Sequence, residues 1–242
     1  MIEQLESRIA PAAAVTFFEA DGDKITVKTK LGTTDQLETA LGIVNGATGV
    51  TEIDLEMISS AALATAFAGT DITISGSGDG ANFVKINAYA ANEPNSFDVG
   101  KVKVKGHLVY IDAGDTDLTT PAVKSIDVTS WGKGINAADA TSSEIQGNIP
   151  IIKVKSDFSG YIVSKNTAGT ANYNTAGGTI IGSLTTGTVA LENGNDVGHL
   201  QVNTIGKLTV KEAFYGPGFI EATRVNAINI KTMRFSGRIV LS

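Results

Sequence analysis

Asp112, Asp115 and Asp117 put three carboxylates into the six residues Asp112-Ala113-Gly114-Asp115-Thr116-Asp117, directly after an apolar strand pattern. Hard oxygens at that density suit a divalent cation such as Ca2+, provided that carbonyls or other side chains complete a shell of about six to eight ligands. On a carbohydrate-active scaffold the same trio would polarise a sugar acid. The plainer reading is a solvated corner held by Asx turns. Asp21 and Asp23 flank Gly22 and would take Ca2+ if backbone carbonyls completed its shell, but a hairpin turn by itself accounts for them. Ser75-Gly76-Ser77-Gly78-Asp79-Gly80 resembles part of a glycine-rich Ca2+ nonapeptide, but one copy lacks the neighbouring turn that shares each ion. It also lacks the Lys-Ser/Thr pair of a phosphate-binding loop.

Other chemistry is scarce. The chain contains no cysteine, which removes disulfides, thiolate metal sites and cysteine nucleophiles together. His107 and His199 are its two histidines. A multi-histidine zinc site cannot be assembled from them, and only Asp196 near His199 offers either a partner in sequence. No enzymatic activity is expected, and no cofactor is required beyond the candidate Ca2+. Trp131 reads as a core residue at a strand corner, whereas Tyr161, Tyr173, Phe214 and Tyr215 form a candidate outer patch for a surface glycan or another subunit.

The elements that position these residues follow from composition. Of 242 residues, 42% are hydrophobic, 6% aromatic and 18% charged, with 27 glycines and an excess of Thr, Ser, Asn, Val and Ile. This is the composition of strands and turns. Apolar residues run throughout the chain and the net charge of -6 is modest, so it is not a disordered protein. No stretch approaches the roughly 20 consecutive apolar residues of a membrane span. An acidic pI near 5.0 argues against nucleic acid as a partner.

Thr16 to Lys30 consists of two apolar runs around Asp21-Gly22, a hairpin signal. Thr34 or Asp35 then reads as the N-cap of a helix of two turns stopped by Gly42. Residues 1–45 are therefore expected to form an entry module of hairpin and short helix. From residue 50 onward one template recurs, apolar-x-x-apolar-x-apolar-x-x-apolar. It fits Val50/Ile53/Leu55/Ile58, Ala81/Val84/Ile86/Tyr89, Val123/Ile126/Val128/Trp131, Val197/Leu200/Val202/Ile205 and Val225/Ile228/Ile230/Met233. Units of about 24 residues cannot bury their own inward faces, but stacked units share a core. Residues 46–242 are expected to form an all-β, right-handed parallel β-helix, an open solenoid. A β-sandwich is the alternative.

Leu5-Glu6-Ser7-Arg8-Ile9-Ala10-Pro11-Ala12 resembles the Leu-Glu-(Pro/Ser)-Arg segment at the start of exported surface proteins of planctomycete-type bacteria, often called LEPR-XLL. Thr16 to Val27 is similar to that family's Asp-Gly-Asp hairpin, and so are Val99 to Gly106, Ile111 to Asp115, Leu118 to Ser125 and Ser236 to Val240 to its strands. The resemblance implies an exported, repetitive surface protein and no reaction.

The expected function is structural: a self-assembling protein, extracellular or on the cell surface, that forms a filament, tube or layer by head-to-tail association with copies of itself. A polysaccharide-binding or polysaccharide-cleaving β-helix using Asp112, Asp115 and Asp117 is the alternative. Strand pattern continues to the last residues with no capping segment, and unpaired strand edges recruit other chains. The expected assembly residues are Ile239 and Leu241 at that end, and Ile2, Leu5, Ile9 and Val15 at the other.

Overall fold

Alternation of apolar and polar residues begins at Ala13. Strands β1 (Ala13–Phe18) and β2 (Lys24–Thr29) pair antiparallel, with Val15 opposite Val27 and Phe17 opposite Ile25. Asp21-Gly22 turns the chain between them, Gly22 at φ 93°. The structure, a computed structural model, describes residues 12–43, 46–90, 94–132, 142–165, 171, 178–189, 198–215, 218–234 and 238–241. Within the expected entry module, Ala13, Val15 and Phe17 lie in the main core, so the hairpin is continuous with the rest of the protein.

Helix α1 (Thr34–Leu41) is capped by Thr33, whose hydroxyl accepts from the Gln36 N–H while the Gln36 side chain accepts from the Thr33 N–H. The cap therefore falls one residue before the expected Thr34, because only Thr33 has a Gln three positions on to close a capping box. Gly42 ends the helix in the left-handed conformation, as its sequence position suggests. After β3 (Ile53–Glu56) comes a second helix, α2 (Ala61–Phe67), capped by Ser60. The sequence reading missed it, although Ser60 ahead of an Ala- and Leu-rich run is a start signal. Leu37, Ala40 and Leu41 of α1 and Leu63, Ala64 and Phe67 of α2 are buried.

The remaining strands follow the repeats. β4 (Ile72–Gly76) runs antiparallel to β2. β5 (Ala81–Asn87), β6 (Val99–Gly114), β7 (Val123–Trp131), β8 (Ser143–Gln146) and β9 (Ile149–Val154) come next. They are followed by β10 (Asp157–Phe158), β11 (Tyr161–Ser164), β12 (Ile180–Val189) and β13 (His199–Tyr215). The chain closes with β14 (Phe219–Val225), β15 (Ile228–Ile230), β16 (Met233–Arg234) and β17 (Arg238–Leu241). Equivalent template positions pair in parallel. Val102 lies against Ile126 and Ile126 against Ile152; Ile152 in turn faces Leu184, and Leu184 faces Leu208. The side chains in this row are buried, as are Trp131 and Phe158, whose rings meet edge to face at 5.6 Å.

The expected β-helix is not what these strands build. Seven of the strands close into a parallel β-barrel rather than an open solenoid, and the structure contains no β-helix. Nor is it a sandwich, since all seventeen strands belong to one hydrogen-bonded sheet. Parallel pairing at a fixed repeat, with one face inward, is common to a stack of open coils and to a sheet that rolls up and closes. Tilt and stagger of the strands decide between them, and neither is written in the spacing of apolar residues.

Candidate functional site

The last three strands have neighbours on one side only. Among the described residues, β15 and β16 pair with β13, and β17 pairs with β14. Each of these short strands leaves one row of backbone donors and acceptors without a strand partner. The same edge exposes Ile228 at 50%, Met233 at 49% and Leu241 at 62%, which are among the most exposed large apolar side chains of the protein. Of the expected assembly residues, Leu241 therefore lies open and Ile239 is half-buried. Val15 is instead sealed in the chain's own core, opposite Val27. Ile2, Leu5 and Ile9 fall outside the described residues.

Two arginines on this edge are held by aromatic rings. Register places Tyr161 beside His199, His199 beside Phe219 and Phe219 beside Arg238. The Tyr161 and His199 rings stack at 4.3 Å, the Phe219 ring meets His199 at 4.8 Å, and the Arg238 guanidinium lies 5.7 Å from the centre of Phe219. Arg234 lies likewise 5.8 Å from Tyr215. Tyr161 thus stands in a ladder of rings along the sheet, and it, Phe219 and Tyr215 are half-buried. Phe214, expected in the outer aromatic patch, is fully buried, and Tyr173 lies outside the described residues.

The aspartates expected to share a cation do not gather at one point. Asp115 accepts from the Asp117 N–H, and Asp117 accepts from the N–H and hydroxyl of Thr119, both closing Asx turns at an exposed corner. These bonds hold the Asp117 carboxyl below its ordinary range. Asp112 projects elsewhere, into a polar row across β5, β6 and β8. There it accepts from the Glu144 N–H at 2.6 Å, and Glu144 is paired with Lys165 at 2.7 Å. Burial, with the Glu144 carboxylate adding to it, pushes the Asp112 carboxyl up to about 7. Tyr89 is 3% exposed, and its hydroxyl has no hydrogen-bond partner among the described residues. Burial, then the charges of Glu144 and Asp112, raise that phenol to about 12. The raised Asp112 carboxyl lets the cluster exchange a proton near neutral pH.

A different trio does converge. Carboxylate oxygens of Asp21, Asp23 and Asp79 lie within 4.8 Å of one another. Contacts within the fold engage two of them: Asp21 accepts from the Asp23 N–H and the Asn82 side chain, and Asp23 accepts from the Ser77 hydroxyl. Glu19 nearby is buried and accepts from the Asn82 N–H at 2.8 Å. Sequence reasoning weighed Asp21 and Asp23 as cation ligands but favoured the hairpin turn, placed Asp79 in a separate glycine-rich corner and Tyr89 in the strand template, and passed over Glu19, Glu144 and Lys165. Of all these, only the template position of Tyr89 carried a signal of burial.

Compared with known protein families, curated proteins and solved structures, the chain matches none of them.

Proposed function

We propose that this protein is structural and self-assembling: copies associate through the C-terminal sheet edge to build an extracellular or cell-surface filament, tube or layer. The observation that carries this reading is the one-sided pairing of β15, β16 and β17 together with the exposure of Ile228, Met233 and Leu241 along them. Sheet edges in monomeric proteins are blunted by charge directed inward, proline, bulges or a covering segment, because a bare apolar edge templates another chain. Between Pro217 and Leu241 there is no proline, and apolar positions recur along β15, β16 and β17. Location at the surface is supported by the resemblance of Leu5 to Ala12 to the exported surface proteins.

Sedimentation velocity and negative-stain microscopy of the purified chain over a wide concentration range test the reading. Species that grow with concentration into regular polymers are expected. A monomer at every concentration overturns it.

A further inference from the structure

The C-terminal edge differs from the rest of the chain in charge as well as in pairing. Residues 222–242 include Arg224, Lys231, Arg234 and Arg238 and no acid, although the whole chain has a net charge of -6. Two such edges brought together would place like charges in a closing interface, which costs several kcal/mol. Symmetric edge-to-edge pairing is therefore disfavoured, and the partner surface must be acidic.

The opposite end meets that requirement. Residues 13–80 carry ten acids against the three lysines Lys24, Lys28 and Lys30. Their apolar side chains are largely turned inward: Ala13, Val15 and Phe17 are in the core, and α1 and α2 bury their own apolar faces. The hairpin is the exception. Among the described residues, β1 pairs with one strand only, β2, and across its other side just the stretch around Ala47 to Val50 bonds with Phe18 and Ala20. At the end of that strand Phe18 is 42% exposed. It stands immediately before the turn that carries Asp21, with Asp23 and Asp79 close by. Among the described residues, the hairpin thus offers a strand edge that is unpaired before Phe18, an exposed ring in Phe18 itself, and the carboxylates that the C-terminal edge lacks.

We infer that the C-terminal edge of one copy docks on the β1–β2 hairpin of the next, with Arg234 and Arg238 taking the carboxylates around its turn. This assignment rests on the self-assembly reading and gives it a direction. Each guanidinium lies over a ring by one face only, Arg234 over Tyr215 and Arg238 over Phe219. The in-plane N–H groups stay free for the bidentate geometry that carboxylates accept, and the stacking limits the rotamer freedom lost on contact. Neither arginine forms a salt bridge among the described residues. A contact between two different surfaces leaves one of each unused on every pair, so it does not end at a dimer and propagates as a filament where its rotation does not close a ring.

Charge reversal at each end, followed by reversal at both, tests the direction. The edge variant is Arg234→Glu with Arg238→Glu, the hairpin variant is Asp21→Lys with Asp79→Lys, and a third chain carries all four changes. Circular dichroism and thermal melts first establish that each variant folds. Each two-site variant is expected to raise the concentration needed for assembly by roughly tenfold or more, and the four-site chain to recover it, since its acidic edge then meets a basic hairpin. If the hairpin variant assembles like the parent while the edge variant does not, or if the four-site chain fails to recover, the assignment to the hairpin is wrong although self-assembly stands. A parent chain that remains monomeric removes both.

Discussion

Asp112 shows how a residue chosen for one chemistry can be placed for another. Its carboxyl is raised to about 7 by burial, against an ordinary value near 4. Between those two values the folded protein holds a proton that the unfolded chain has released. Stability from this group is therefore fully present below about pH 4 and is lost as pH rises towards 7. Glu144, Lys165 and Tyr89 face the same carboxyl and are left in place by Asp112→Asn, whose side-chain oxygen can still accept from the Glu144 N–H. Melting curves at pH 5 and pH 8 are expected to show the parent losing on the order of 2 kcal/mol more than this variant over that interval. Equal losses in the two proteins would show that the carboxyl titrates normally.

Gly114 makes a second point at the same scale. It sits at φ 115°, and a Cβ there would strike the carbonyl oxygen of Gln146 on the neighbouring strand. Gly46, at φ 81°, has open space around its Cβ position. Both substitutions to alanine impose an unfavourable backbone conformation, but only Gly114→Ala also pushes two strands apart. Urea unfolding is expected to show a cost of roughly 1 kcal/mol for Gly46→Ala and roughly 3 kcal/mol or more for Gly114→Ala.

At the scale of elements, local signals worked where the partner lay within a few residues. Asp21-Gly22 makes its hairpin, and Gly42 stops α1. Thr33→Ala removes the hydroxyl that accepts from the Gln36 N–H and leaves the backbone N–H that donates to the Gln36 side chain, so chemical denaturation is expected to register a loss of about 1 kcal/mol. Strand elements depend on each other instead. Trp131 fills the interior beside Phe158 on β10, and its removal leaves a cavity that those rigid neighbours cannot collapse into. Trp131→Ala is expected to cost about 3–5 kcal/mol in the same measurement. The last strands behave differently again, because among the described residues they are paired on one side only. Ile228→Lys with Leu241→Lys alters side chains that are already half or more exposed. The melting temperature should stay within a degree or two of the parent while light scattering reports the loss of assembly; a large melting shift with assembly intact would place these residues in the core.

For the whole molecule the decisive property is asymmetry. One end is basic with a bare strand edge; the other is acidic and largely finished by helices and a hairpin. Assembly driven by opposite charges near the surface weakens as salt shortens the reach of the field from about 10 Å at 0.1 M to about 3 Å at 1 M. Light scattering across that range is expected to fall with added salt. A rise would mean that apolar contact alone carries the association, since salts that favour burial strengthen it.

By itself the sequence determined the all-β class, the hairpin at Asp21-Gly22, the inward phase of the template strands between Ile53 and Ile205, and the parallel register of successive repeats. These are properties of alternation and spacing: a side chain that faces inward at Val102 obliges Ile126, Ile152 and Leu184 to do the same. Tertiary structure decided that the sheet closes into a barrel, because closure sums small tilts and staggers over many strands and no single repeat records the total. It also decided that Val15 serves the chain's own core. Asp112 parted from Asp115 and Asp117 for the same kind of reason, since its surroundings, Tyr89, Glu144 and Lys165, come from segments up to 53 residues away along the chain. Burial of a polar side chain is set by what the rest of the fold lays over it, and the residues around Asp112 in sequence carry no trace of that.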